Sequence, residues 1–377
     1  MVLDKEGSIV LLVHFILREY LSGRPDLFQR PHSVISETCL AYLNSQQVMN
    51  ISATLSLLDS QPFPFLRYSA LHWGTHGKKE LSDDAKSLAL RLFRQYNNHI
   101  SIRLLLESRP VRFYQLSYLS LFTGLHRTSF FGLVEIVKSL IETGGLDINQ
   151  GGPMGITPLG WAARNGHEGV VQLLLGQGNV NPNTVDPAGL TQLTWAAANG
   201  LQGVVRLLLG RGDINPNTQD RLDRTPLSHA ATIGHEGVVR LLLGRGDINP
   251  DSVDHVHQTP LSHAAMNGHE GVVRLLLGPG GVSPDRLDKL GRTPLLYAAR
   301  SGHEGVSRLL LGQWNVNPDS VDWVGRTPLS QAAYNGHEGV VQLLLGRGVD
   351  PDKPDHGGRT PLAYAAWNGQ VEWCSYY

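Results

Sequence analysis

One pattern of residues recurs down this chain, and it restricts the fold more than any composition does. Thr225-Pro226, Thr259-Pro260, Thr293-Pro294 and Thr327-Pro328 are spaced by 34 residues; Thr157-Pro158 and Thr191-Gln192 continue the spacing upstream, and Thr360-Pro361 follows after 33. Self-similarity at such a period is the signature of a solenoid, in which each unit buries its apolar face against its neighbours and none is stable alone. Within the copy from Asp220 to Asn249, Thr225 is placed to cap a helix and Pro226 to occupy its first turn. Ala230-Ala231 keeps that inner helix thin, and Gly234 ends it. Val238, Val239, Leu242 and Leu243 then form one face of an outer helix, with Gly244 or Gly246 available for a left-handed C-terminus. Burial of each such Val or Leu contributes roughly 1.5 to 3 kcal/mol. A glycine after Glu, as at Gly237, Gly271 and Gly305, costs about 1 kcal/mol relative to alanine inside a helix, less in the first turn. Prolines at 182, 216, 250, 284, 318 and 351 stiffen the loops between units.

Charge and cysteine usage narrow the function classes. Net charge is -1, and the 13 basic and 10 acidic residues of positions 1–117 leave 19 basic and 23 acidic for the remainder. Neither part carries the basic excess of a phosphate-backbone binder, so no nucleic-acid partner is expected. Cys39 and Cys374, at opposite ends of the chain, build no disulfide framework and fit a reducing compartment, cytoplasmic or nuclear. The apolar run Ile9 to Leu17 follows two acids, contains His14 and precedes no cleavage site; it reads as a core strand running into a helix, not as a leader. No run approaches the length of a membrane span.

The Thr-Pro-Leu, Ala-Ala, Gly-His and Val-Val-x-Leu-Leu-Leu elements resemble the ankyrin repeat. Extending the period backwards finds a degenerate first copy, Thr123-Gly124-Leu125-His126 with Gly132 to Val137, which makes eight units with the last cut short. Before the array the spacing predicts a strand over Ser8–Phe15 and helices over Phe15–Leu21, Ser33–Asn44, Ser82–Tyr96 and His99–Glu107. His14-Phe15 with Glu19-Tyr20-Leu21, the run Cys39-Leu40-Ala41-Tyr42-Leu43, Pro64-Phe65-Leu66-Arg67-Tyr68-Ser69-Ala70 and Trp73-Gly74-Thr75-His76 resemble the region after the nucleotide-binding module of fungal NACHT-ankyrin proteins. The resemblance implies a winged-helix-like remnant over 1–45, a helical spacer over 46–117 and an ankyrin array over 118–377. It further implies a setting of self/non-self recognition. No G-x-x-x-x-G-K-[ST] occurs in the chain, so it resembles the C-terminal portion of that architecture or a truncated relative.

No constellation of residues calls for catalysis, a cofactor or a metal. His167, His235, His269, His303 and His337 recur one per repeat, about 10 Å apart, too far to converge on one ion; they are expected to bond neighbouring backbone. His229 and His263 meet the same objection, and His72 and His76 lack an evident third ligand. Cys39 sits on an apolar helix face, as a buried small hydrophobe would. Asp223 and His257 stand where other units have glycine, too little for a mechanism. The columns that vary lie at the hairpin tips and the inner-helix face, where the ankyrin resemblance implies that a protein partner binds. The candidate contacts are Arg221, Arg224, Lys289, Arg292, Arg300, Trp323, Arg326, Tyr334, Arg359 and Trp367; aromatic residues beside arginine have the composition of an interface hot spot. The expected function is a non-catalytic scaffold. Its alternatives are a transcriptional co-regulator acting through protein contacts and a non-functional fragment of a NACHT-ankyrin protein.

Overall fold

The computed structural model describes residues 31–49, 64–79, 81–95, 121–278 and 282–368. The strand expected over Ser8–Phe15 and the helices expected over Phe15–Leu21 and His99–Glu107 lie outside these residues. The described residues are helices joined by tight turns, and no helix among them is long and apolar enough to cross a membrane. The chain divides into two compact units, Met1–Pro187 and Ala188–Tyr377.

In the first unit, helices Pro31–Leu43, Pro64–Lys79 and Asp83–Gln95 bury Leu40, Leu43, Leu66, Trp73, Leu92 and Phe93. Ser82 caps the third helix, its hydroxyl accepting from the Ala85 N–H at 3.0 Å, at the start that its acidic first turn predicts. The Trp73-Gly74 pair is packing chemistry. Trp73 lies 5.4 Å from the Phe93 ring and 5.2 Å from that of Phe131, and Phe131 occupies the space that a side chain at Gly74 would need. The helical segment thereby joins the degenerate first repeat, which is present as helices Gly124–Phe131 and Val134–Glu142. The helices Pro158–Arg164 and Glu168–Leu175 follow, over a core of Phe122, Phe130, Ile156 and Trp161.

The second unit repeats one arrangement. Inner helices Gln192–Ala198, Pro226–Ile233, Pro260–Asn267, Pro294–Ser301, Pro328–Asn335 and Pro361–Trp367 alternate with outer helices Gln202–Leu209, Glu236–Leu243, Glu270–Leu276, Glu304–Leu311 and Glu338–Leu345. Each threonine of the Thr-Pro step caps as expected, the Thr259 hydroxyl accepting from the Ser262 N–H at 3.1 Å for instance. Ala230, Ala231, Val238, Val239 and Leu242 are fully buried. Leu243, expected in the same face, is only half-buried; at 3.6 residues per turn it falls on the edge of that face. A second correction concerns Gly244 and Gly246, neither of which is left-handed. Gly244 keeps right-handed geometry with its N–H on the Arg240 carbonyl at 3.0 Å. In the same column Gly348, in the loop shortened by one residue, and Gly144, after the first repeat, do reach a positive φ, of 72° and 71°.

The Gly-His pair links one repeat to the next. Gly234, Gly268 and Gly302 end their helices at φ of 90°, 79° and 78°, a conformation that costs glycine nothing extra. The imidazole of the following repeat fills the space beside each: a Cβ at Gly234 would stand 2.5 Å from the His269 ring. From there His269 Nε2 donates to the Thr232 carbonyl at 3.0 Å, as His235, His303 and His337 do to Ala198, Met266 and Arg300 at 3.1, 3.0 and 3.0 Å. Each carbonyl belongs to the end of an inner helix, where no helical partner remains. The glycine after Glu has a parallel explanation, since the Glu236 carboxylate lies over Gly271 and that of Glu270 over Gly305. An anion is favoured there by the positive end of the helix dipole.

A second inter-repeat ladder runs through the loops after the outer helices. Asn217 bridges two loops, accepting from the Asn249 N–H at 2.9 Å and donating to the Asp247 carbonyl at 2.6 Å. At the equivalent positions Asp251, Asp285 and Asp319, one carboxylate oxygen accepts the corresponding N–H. The other oxygen is buried with no hydrogen-bond partner among the described residues. Burial raises the Asp285 carboxyl above its ordinary value, against the opposing bond from the Asn317 N–H.

Two outcomes follow for stability. His269→Ala should lower urea-unfolding stability by about 1 to 2 kcal/mol, because a carbonyl loses its donor. Asp285→Asn should stabilise at pH 7 by about 1 kcal/mol, since its amide can make the second bond that Asn217 makes. A folded-state pKa above the unfolded value penalises folding at neutral pH, and the penalty disappears as pH falls through that pKa. The advantage of Asp285→Asn over the native chain should therefore shrink on acidification, as measured by unfolding at a series of pH values.

Candidate partner-binding surface

The hairpin tips are built on one recurrent side chain. Asp254, Asp288, Asp322 and Asp355 are buried, and Asp220 half-buried, at the base of successive tips of the second unit. In each, Oδ1 accepts the N–H groups two and four residues on: Leu222 and Arg224 at 2.8 and 2.9 Å for Asp220, Leu290 and Arg292 at 2.8 Å each for Asp288. Such an Asx-type turn fixes the loop without a strand ladder. Oδ2 faces the inner helix, where it meets His229 at 2.8 Å, His263 at 3.0 Å, the Tyr297 hydroxyl at 2.5 Å and the Tyr364 hydroxyl at 2.6 Å. Asp322 uses Arg326 instead, at 2.9 Å. Burial alone would raise the Asp355 carboxyl, but the Tyr364 hydroxyl, the Arg359 backbone and the Arg359 guanidinium outweigh it and bring the pKa to about 2. His229 is pushed down by burial, against the pull of Asp220.

The tips also bond one another through the backbone. The N–H groups of Arg221, His255, Lys289, Trp323 and His356 donate to the carbonyls of Ala188, Leu222, Val256, Leu290 and Val324 at 2.9 to 3.0 Å. The consequence is electrostatic: the recurrent aspartate of each tip turns inward and is consumed by the loop, while Arg221 and Lys289 stay exposed. Leu222, Leu290 and Val324 are exposed beside them.

The ten candidate contacts separate into two groups. Arg326 and Arg359 form ion pairs with Asp322 and Asp355 at 2.8 and 2.9 Å. Arg224 approaches Asp254 of the next tip at 3.6 Å, and Arg292 lies 5.8 Å over the Tyr297 ring. These four help to hold the tips. Trp323, Tyr334 and Trp367 are 68%, 41% and 74% exposed. Trp323 rests against Gly291, where a Cβ would stand 2.8 Å from its ring. Tyr334 packs edge-on against Tyr364 at 5.7 Å. Arg300, Arg326 and Tyr334 come together around a pocket of about 90 Å³, with Gln331, Asn335 and Tyr364. Arg221 and Arg224 sit on tips further up the unit and take no part in it.

The tip aspartates were not among the sequence candidates, although their column, Asp four residues before Arg or Gln in front of each Thr-Pro from Thr225 onward, is visible in the sequence. Trp314, 94% exposed, is another omission; it replaces the glycine of its loop column. Asp223 and His257 hold left-handed backbone at φ of 58° and 66°, in the column where Gly189, Gly291 and Gly325 take 83°, 74° and 87°. Cys39 is buried, and desolvation pushes its thiol up to about 12, away from the reactive thiolate form. His76 contacts His32 at 2.8 Å and the Tyr68 hydroxyl at 3.2 Å. Among the described residues no three His, Cys, Asp or Glu side chains are grouped to hold a metal ion.

The profile of the family described as "Ankyrin repeats (3 copies)" matches residues 125–220, 193–288, 247–322, 272–355 and 315–376. The chain belongs to the ankyrin-repeat family. Among solved structures it is similar to the human ASB11 ankyrin repeat domain, with a TM-score of 0.53 and 29% identity over 60% of this chain and 98% of that one. It is also similar to the ankyrin repeat domain of Bcl-3, a member of the IkappaB protein family, with a TM-score of 0.50 and 28% identity over 55% of this chain and 93% of that one. No relative is found among curated proteins. Ankyrin repeats are generally protein-protein interaction scaffolds.

Left-handed backbone costs a residue with a Cβ roughly 1 to 2 kcal/mol, less for Asp and more easily borne by His than by a branched side chain. His257→Gly should therefore raise the stability of the array by about 0.5 to 1 kcal/mol after the extra chain entropy of glycine is subtracted. Thermal unfolding of the variant beside the native chain measures it, and an unchanged or lower midpoint would contradict the assignment of strain.

Proposed function

We propose that this chain is a non-catalytic ankyrin scaffold that holds a protein partner on the tips and inner-helix face of its last repeats. The observation that carries the proposal is the contrast between columns. Ala298, Ala299, Ala332, Ala333 and Leu344 are fully buried, whereas Trp323 and Tyr334 in one repeat and Trp367 in the next are exposed to solvent. Exposed tryptophan and tyrosine next to arginine make the anchors of protein interfaces, and their rigid rings lose little entropy on contact. No core requirement explains a tryptophan that is 68% or 74% exposed.

The fungal NACHT-ankyrin resemblance extends this proposal to the biological setting: an array that recognises a ligand in self/non-self sensing. It is supported by the residues of Pro64–Lys79, whose Leu66, Tyr68, Ala70 and Trp73 are buried in a helical segment packed on the first repeat.

The test is capture by the full chain from fungal extract, with Trp323→Ala and Tyr334→Ala combined. Loss of each hot-spot ring should cost about 2 kcal/mol or more, so capture should fall at least about 30-fold. Unfolding should stay cooperative at an unchanged midpoint. Undiminished capture would refute the assignment, and a loss of cooperative unfolding would return the rings to the core.

A further inference from the structure

We infer that the pocket between Arg300 and Arg326 receives the carboxylate of a glutamate or aspartate on an extended acidic segment of the partner. This rests on the scaffold function proposed above and specifies the chemistry of what is held.

Three observations converge on an anion. No carboxylate lines the pocket, while two guanidinium groups do, together with the Gln331 amide and the Tyr334 ring. The side chain of Arg300 is exposed and has no hydrogen-bond or ion-pair partner among the described residues, whereas Arg326 is already balanced by Asp322 at 2.8 Å. The pocket therefore offers one uncompensated positive charge, which a single carboxylate neutralises and a phosphate dianion would exceed. A volume of about 90 Å³ is matched to the end of one side chain.

The surroundings extend that preference from one side chain to a segment. In the tip and inner-helix segments of the second unit the aspartates at 254, 288, 322 and 355 are buried, that at 220 is half-buried, and the exposed acid is Asp223. Facing outward are Arg221, Lys289 and Arg300. The outer helices instead begin with Glu236, Glu270 and Glu304 and carry Arg240, Arg274 and Arg308 one turn on, so they hold no cationic excess. An acidic polypeptide is thus attracted to the tip and inner-helix face in preference to the outer one, which orients its approach. Apolar or aromatic residues flanking the seated carboxylate would rest on Tyr334 and Trp367.

The experiment is fluorescence anisotropy of the full chain with a labelled synthetic peptide of alternating glutamate and tyrosine. The same peptide with glutamine, or with phosphoserine, in place of glutamate serves for comparison. Saturable binding of the glutamate peptide is expected, with loss for the glutamine peptide and no gain for the phosphoserine one. Arg300→Gln should weaken binding roughly tenfold, the loss of one charge-assisted contact. Arg274→Gln, the same charge change on an exposed outer-helix residue, should leave it unaltered. Equal losses in the two variants would reduce the effect to net charge and overturn the pocket. Tighter binding of the phosphoserine peptide would overturn the carboxylate. If Arg300→Gln binds normally while Trp323→Ala with Tyr334→Ala does not, the pocket falls and the scaffold surface stands. If the peptide binds and no variant alters it, both fall.

Discussion

A carbonyl at the end of a helix must find a donor, and in this protein the donor comes from the next repeat. The inner helices end at a glycine, and the imidazole one repeat on fills the gap that the missing Cβ leaves and bonds the last free carbonyl. Packing, helix termination and repeat-to-repeat registration are thereby one event. A side chain at Gly234 would collide with His269 and strain the backbone together, and an apolar residue at 269 would leave Thr232 without its donor. Cooperativity along a stack depends on such nearest-neighbour terms, and the Gly-His pair supplies one in each of several repeats.

The hairpin tips use a different device for a related end. An inward-turned aspartate folds each loop around its own carboxylate, takes a third bond from the inner helix or, at Asp322, from Arg326 just before it, and hands the loop backbone to the adjacent tip. Because the residue that takes the third bond changes from His to Tyr to Arg along the array, the clamp tolerates variation while its geometry is held. It also removes acid from the surface. The cationic and aromatic character of that surface is then a by-product of how the loops are made as well as of which residues vary.

The repeat, its helices, their caps and the buried Ala and Val columns were legible from the sequence, since each follows from local spacing or from the chemistry of Thr-Pro. The backbone role of the recurrent histidines was legible too, from the impossibility of bringing five of them to one ion. Leu243 and the glycines after the outer helix were misjudged because helical periodicity does not locate the edge of a buried face, and because a turn can close by continuing right-handed. The tip aspartates are regular in the sequence but their role is not legible there, because an acid that recurs because it is buried has the same pattern as one that is exposed. The arginines before Thr-Pro were put with the binding residues, yet their guanidinium groups mostly serve those same aspartates.

What the sequence by itself determined is the class of fold, because a periodic apolar pattern that cannot bury itself within one unit has stacking as its solution. It also determined which positions were free to vary. Tertiary structure decided which of those face a partner. Arg300 and Arg326 are 26 positions apart in the chain, and both are arginines near an inner helix; only the stacking of adjacent repeats leaves one unpaired and the other neutralised, on either side of the same small pocket. Charge balance at a surface is a property of neighbours in space, and a repeat brings its neighbours from the next turn of the stack.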